Sequence, residues 1–320
     1  MKIKLQLFFI SMAIVVTLVH IAYMLLVSGA GFITSYLLDF HISVIDHTAL
    51  EPFRYRLLSE WIFHPFLLFA GPQNFFGLAA GFSFIQRATI FFLLFRYLRQ
   101  LGFSVNLSIA GVLLLAFGML FAFHEAGFSF YTYTEIIIFL LAALLIQQGL
   151  PYWIILLAGL AALNREASIL LPSLLLAEIL EFTPMPHLRK NPAYLLPAVA
   201  SLAVFVATYG LLRLSIGPGG YWGITGIGAV LNNLQDPRTY LGLLGMFHVL
   251  LIVPFFIHKL PRRLQSLFIL LALPWFAAQF WFGTTDEARL FLLPLTMVLI
   301  PSGLWLWQTY SFHLKHRFIS

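Results

Sequence analysis

The chain has 320 residues, 61% of them hydrophobic and only 9% charged, with a net charge of +6 and no cysteine. A soluble domain carries roughly 25% charged residues, and repeated apolar runs of about 18 or more residues mark membrane-crossing helices, so an ordinary soluble globule is excluded. Disulfides, thiol catalysis and thiolate metal sites go with the cysteines, and the basic residues sit in short loops rather than in a nucleic-acid footprint.

The apolar runs are continuous rather than alternating, which excludes a β-barrel. They predict an all-α polytopic membrane protein with a single transmembrane domain over 1–320. The first run follows Lys2 and Lys4 and has no small-residue cleavage site, so it reads as a retained helix. Further basic clusters lie at Arg96/Arg99, Arg189/Lys190, Lys259/Arg262/Arg263 and Lys315/Arg317. Lysine and arginine gather on the cytoplasmic side. Placing every cluster there predicts about ten spans, near 5–27, 76–99, 104–122, 134–148, 151–163, 166–182, 192–213, 240–258, 265–282 and 289–310, with both termini cytoplasmic. Counting 57–70 as a span would put Arg96 and Arg99 outside. It is read instead as an interfacial helix at the outer surface, broken up by Pro52, Pro65 and Pro72.

On this topology every lysine is cytoplasmic. The basic residues left over are all arginine, namely Arg54, Arg56, Arg87, Arg165, Arg213, Arg238 and Arg289, and all map to the outer half. Most acids map there too, with Glu178 and Glu181 the exceptions. Ionisable groups at membrane depth are costly and mark candidate functional sites, although salt bridges tying loops together would also place them there.

The outer segments carry the candidate chemistry, beginning with 28–75. If 33–47 is helical, Asp39 and Asp46 lie two turns apart on one face and suit general-base work. Arg54 and Arg56 flank Tyr55, and their guanidinium forks match phosphate oxygens; pairing with Glu51 or Glu60 is the alternative. The small-residue spacing of Gly77 and Gly81 predicts a close helix contact.

In 122–135, His124 and Glu125 begin as a zinc-protease motif would, but Phe128 stands where the second histidine belongs. They remain candidate substrate contacts, as does Tyr131, whose aromatic neighbourhood is either a sugar platform or an interfacial belt. Glu135 suits a helix N-terminus. The span 151–163 is short, about 20 Å against a hydrocarbon thickness of about 30 Å, so Asn164, Arg165 and Glu166 fall below the outer surface. Adjacent helical side chains point apart, so Arg165 and Glu166 need other partners. Near 282–291, Asp286 and Glu287 suit a helix start, whereas Arg289 does not and calls for a phosphate or one of those acids. The loop 214–240, with Gly217-Pro218-Gly219-Gly220, is a candidate lid.

The order of these features resembles the GT-C superfamily of integral membrane glycosyltransferases that use polyprenyl-phosphate sugars. One span, an outer loop with Asp39 and Asp46, a juxtamembrane helix and a span ending "FRYLRQLG" are similar to its opening. The later "YTEIIIFLLAALLI" and "YWIILLAGLAALNREASILLP" follow its order, and "EPFRYRLL" looks like the "YRY" segment of the mannosyltransferase branch that builds the glycolipid anchor. The chain departs from the family in having no DE or DxD pair in the first loop and no large C-terminal outer domain.

The resemblance implies an inverting glycosyltransferase of the cell envelope. Its donor is a polyprenyl-phosphate-linked sugar, and its acceptor hydroxyl lies on a small or lipid-linked glycan, lipid or protein. Asp39, or else Asp46, is then the base. Arg165 and Arg289, with Arg54 and Arg56, bind the donor phosphate. His124, Glu125, Tyr131, Glu166 and Glu287 contact substrate. No cofactor or metal is indicated and no nucleic acid is expected. The reading places the protein in the bilayer of a bacterial inner membrane with a periplasmic site. Two other classes stand beside it: a transporter of an anionic lipid-linked sugar, disfavoured by the apolar inner halves of the spans, and a non-catalytic scaffold of the same architecture.

Overall fold

The computed structural model describes residues 2–122, 128, 130–182, 192–220, 225–282 and 288–317, and the regular elements among them are all helical. α1 (Lys2–Ser28) is separated from α2 (Ala30–Ile45) by Gly29 alone, at φ +76°. Only glycine takes that dihedral without steric cost, so one residue suffices to redirect the chain. A 3-10 turn, Phe53–Tyr55, leads into α3 (Leu57–Ala70), and a second, Pro72–Asn74, into α4 (Phe75–Gln100).

α5 (Val105–Phe121) starts at Ser104, whose hydroxyl accepts the Leu107 N–H at 3.3 Å and satisfies one of the open donors of the first turn. α6 (Phe130–Gln147) and α7 (Trp153–Ala162) follow. The expected span 166–182 is divided: a 3-10 segment, Glu166–Leu170, precedes α8 (Ser173–Phe182), with Pro172 at the break. Then come α9 (Pro192–Ile216), α10 (Ile227–Gln235) and α11 (Pro237–Phe247), the last capped by Asp236 with Pro237 at its first position. α11 continues as a tightly wound stretch, His248–Lys259. Two rods complete the chain. One is α12 (Arg262–Leu267) with α13 (Leu273–Phe282), joined through wider turns at Phe268–Ala272. The other runs from Ala288–Phe291 through α14 (Leu292–Pro294) and Leu295–Leu299 into α15 (Ile300–Arg317).

Seven helical stretches among the described residues are long and apolar enough to cross a membrane; Leu57–Ala70, Val105–Phe121 and Trp153–Ala162 are apolar but shorter. Phe130–Gln147 is 78% buried and Arg289–Tyr310 83% buried, so these two form the centre. Ile3–Val27, Ala193–Ile216 and Pro237–Lys259 are only 22–33% buried and lie outside, showing apolar side chains such as Leu26, Leu214 and Phe255 to the surroundings. A soluble protein would not leave such a surface bare; a multi-pass membrane protein would.

α3 is an unbroken helix. Pro65 lies inside it on the exposed side, and the missing hydrogen bond is tolerated because Leu57, Ser59, Glu60, Phe63 and Leu67 hold the opposite face in the bundle. Phe63 and Leu67 pack with Met24, Leu37, Phe75, Ala79, Phe128 and Phe130. Gly77 and Gly81, expected at a close helix contact, face open space.

Candidate functional site

One end of the bundle gathers the segments 46–56, 163–166 and 217–220, and polar contacts bind them together. The backbone joins first: Leu58 N–H donates to the Leu163 carbonyl at 2.9 Å and Glu51 N–H to Gly220 at 2.8 Å. The Glu51 carboxylate then takes three donors. Tyr55 Oη donates to Oε1 at 2.8 Å, Gly219 N–H to Oε1 at 2.7 Å and Arg213 Nη2 to Oε2 at 2.7 Å. The Gly219 N–H, the Tyr55 hydroxyl and Arg213 favour the ionised form and hold Glu51 below the usual carboxylate range, against the opposing effect of burial.

Deeper in, three guanidinium groups approach the ring of Tyr131: Arg56 at 4.6 Å from its centroid, Arg289 at 5.5 Å and Arg165 at 5.9 Å. They come from the start of α3, the turn after α13 and the turn after α7, and all three are at least nine-tenths buried. A desolvated cation over an aromatic face gains about 2 kcal/mol. Arg56 also covers Phe53 at 4.8 Å, and Arg165 the ring of Trp275 at 5.6 Å.

Two carboxylates balance this charge. Glu166 Oε1 accepts from Arg56 Nη2 at 2.6 Å, while Glu135 Oε2 accepts from Arg165 Nη1 at 2.9 Å and its Oε1 from Ser168 Oγ at 2.7 Å. Burial is the largest single influence and works against the charge on Arg56, but Glu166, Tyr131 and Glu135 together overcome it and raise the arginine above its ordinary range. The expectation that Glu135 serves a helix N-terminus is corrected here: it lies on the second turn of α6, fully buried, as the counter-ion of Arg165. Arg165 and Glu166 do find separate partners, Glu135 and Arg56, with Arg165 in extended backbone just before the 3-10 segment.

A neutral network supports the charged one. Ser59 Oγ lies 2.7 Å from Asn164 Oδ1 and 2.9 Å from Thr134 Oγ1; Asn164 Nδ2 donates to the Tyr131 carbonyl at 2.8 Å, and Gln86 Nε2 to Thr134 Oγ1 at 2.9 Å. Within it Asn164 alone bonds the Tyr131 backbone, and Ser59 of α3 and Gln86 of α4 tie Asn164 and Thr134 in place.

The candidate bases lie elsewhere. Leu37, His41 and Val44 form the buried stripe of α2, and Asp39 sits on its exposed side, as does Asp46 just beyond its end. Among the described residues neither has an ion-pair partner. Arg54 stays apart from the Tyr131 cluster: its Nη2 donates to the His47 carbonyl at 2.8 Å, and a Cβ on Gly219 would come within 2.1 Å of its Nη1. His124, Glu125, Asp286 and Glu287 lie outside the described residues.

The sequence reading passed over His20, His41 and His64, named Arg87 only as one of the outer arginines, and named Glu60 only as a possible partner of Arg54 or Arg56. His41 bridges Glu60 and His64, and Arg87 is fully buried among neutral partners, with Nη1 donating to Thr17 Oγ1 at 2.9 Å and Nη2 to His20 Nδ1 at 2.5 Å and Tyr133 Oη at 3.1 Å. The signal for His41 is its place in the 37/41/44 stripe, opposite Asp39. Among the described residues no cluster of histidine, aspartate or glutamate is arranged to hold a metal ion. No family model matches the chain, and no curated protein and no solved structure matches it either.

Proposed function

We propose that this chain is a membrane glycosyltransferase of the GT-C kind, moving a sugar from a polyprenyl-phosphate carrier to an acceptor hydroxyl. The observation that carries the reading is the convergence of Arg56, Arg165 and Arg289 on the single ring of Tyr131. Buried guanidinium groups brought together from distant segments suit an anion whose charge grows during reaction. In the transfer, the acceptor hydroxyl gives its proton to a carboxylate, its oxygen bonds to the anomeric carbon, and the bond from that carbon to the lipid phosphate breaks. The arginines stabilise the departing phosphate, and the sugar inverts.

Asp39 is the preferred base because it lies closer to the end of the first span, with Asp46 its substitute; among the described residues no ion pair engages either carboxylate. The site lies on the periplasmic side of a bacterial inner membrane, reached by about ten crossings if α5, α7 and the 166–182 segment traverse the bilayer together with the seven longer helices. Both termini are then cytoplasmic.

A second reading has its own support. Glu51, Glu135, Glu166 and Asp236 are each paired with an arginine, as a non-catalytic scaffold would require. Turnover separates the two. The protein is reconstituted in lipid with a panel of polyprenyl-phosphate sugars and cell-extract acceptors, and released lipid phosphate is measured. Release by the wild type and loss of it in Asp39→Asn are expected. Release by both moves the base to Asp46, and no release by folded protein favours the scaffold.

A further inference from the structure

α2 and α3 are joined by a row of titratable side chains that the transfer reaction does not use. Glu60 Oε2 lies 2.6 Å from His41 Nδ1, and His41 Nε2 lies 3.0 Å from His64 Nδ1. Glu60 and His41 are 5% and 1% exposed, while His64 is half-buried and reaches the surface. The rings of Phe63 and Phe75 close over His41 at 5.3 and 6.0 Å, so water does not complete the row from that side.

The nitrogens dictate what the row can accept. An ionised carboxylate only accepts, so His41 Nδ1 carries a proton and donates to Glu60. With both histidines neutral, His41 Nε2 accepts from His64 Nδ1–H and every contact is made. With one added proton, His41 becomes an imidazolium donating to Glu60 and to His64 Nδ1, and again every contact is made. A second proton puts N–H groups on both facing nitrogens at 3.0 Å, where neither can accept, and sets two cations side by side. The junction therefore tolerates one proton and rejects the next.

Among the described residues no other charged group faces the row. From α3 the facing groups are Glu60 and His64, and from α4 it is the Phe75 ring. Arg54 and Tyr55 of the 3-10 turn are turned to His47 and Glu51, and His20 of α1 meets Arg87. On α2 itself Asp39 points the other way.

We infer that Glu60, His41 and His64 form a proton-operated clamp that seats α2 on α3 and releases it when both histidines are protonated. Its consequence for activity rests on the transferase reading, since α2 carries Asp39; the clamp itself does not. The chain has no cysteine, so spin labels are placed uniquely by Ile42→Cys on α2 and Ile62→Cys on α3, both at exposed positions. The full chain is reconstituted, and the label distance is measured by pulsed electron resonance from pH 8 to pH 4.5, with circular dichroism reporting that the helices persist.

A single short distance at pH 8 that gives way to a longer population in acid is expected. In His64→Gln the side-chain amide donates to His41 without titrating, and the longer population should largely disappear. An unchanged distance in the wild type, or the same widening in His64→Gln, overturns the clamp. Donor turnover on the same samples keeps the two ideas apart. A moving distance without any turnover sinks the transferase and leaves the clamp standing, whereas turnover with a fixed distance does the reverse.

Discussion

Arg213 near the end of α9 and Glu51 before α3 are ion-paired at 2.7 Å across 162 positions of sequence. The same carboxylate accepts from the Gly219 backbone, and Tyr55 Oη, which donates to it, lies 2.8 Å from the Gly217 carbonyl. One glutamate thus latches the Gly-Pro-Gly-Gly loop onto the segment that leads into α3.

That latch predicts an acid-sensitive loop. Glu51 titrates lower in the folded chain than in the unfolded one. Its contribution is therefore complete above the ordinary carboxylate pKa of about 4.3 and is lost as pH falls below that value through the lower folded one. Glu51→Ala should remove about 1–3 kcal/mol and raise hydrogen exchange at 217–220 at neutral pH. Exchange there that is equal in variant and wild type at pH 7 would count against the latch.

Gly219 has no room for a methyl group while Arg54 keeps its place, since a Cβ would meet Arg54 Nη1 at 2.1 Å. Gly219→Ala should push the Arg54 side chain off the His47 carbonyl, at about 0.5–1.5 kcal/mol in the wild type, and cost distinctly less in an Arg54→Ala background. A double-mutant cycle of thermal unfolding in detergent measures that coupling. Additive losses would show that the two residues do not press on each other.

Arg165 and Arg87 are both buried but differ in what they leave behind. Arg165→Met strands Glu135 without its cation and should cost about 3–5 kcal/mol. Arg87→Met strands only Thr17, His20 and Tyr133, neutral groups worth roughly 1–3 kcal/mol together. Arg165→Met with Glu135→Leu should recover much of the first loss. The order of the unfolding midpoints decides the matter; Arg87→Met falling lower than Arg165→Met would contradict it.

Tyr131 acts on the three arginines through its ring. Tyr131→Phe keeps the ring and should leave stability and lipid-phosphate release near wild type. Tyr131→Leu removes it and should lower release roughly tenfold, the equivalent of about 1.4 kcal/mol. Equal rates in the two variants would detach the ring from the function.

The amino-acid sequence by itself determined the class of this molecule, because apolar runs of spanning length admit only helices. It also separated the arginines of one end from the lysine-bearing clusters of the other, and Arg56, Arg165 and Arg289 were legible there as charges needing a partner. The pairing was not. α6 is apolar nearly all round, so its periodicity carries little phase, and nothing local distinguished Glu135, the counter-ion of Arg165, from a residue serving a helix end. On α2 the stripe through Leu37, His41 and Val44 was written in the spacing, yet whether it or the Asp39 side turned inward depended on α3, which supplies Glu60 and His64 to meet His41. Apart from Asp236 and Arg238, two residues apart, tertiary structure decided which ionisable groups meet, because those partners lie 19 to 162 residues apart, and the helical repeat assigns a side chain to a face without specifying what that face will touch.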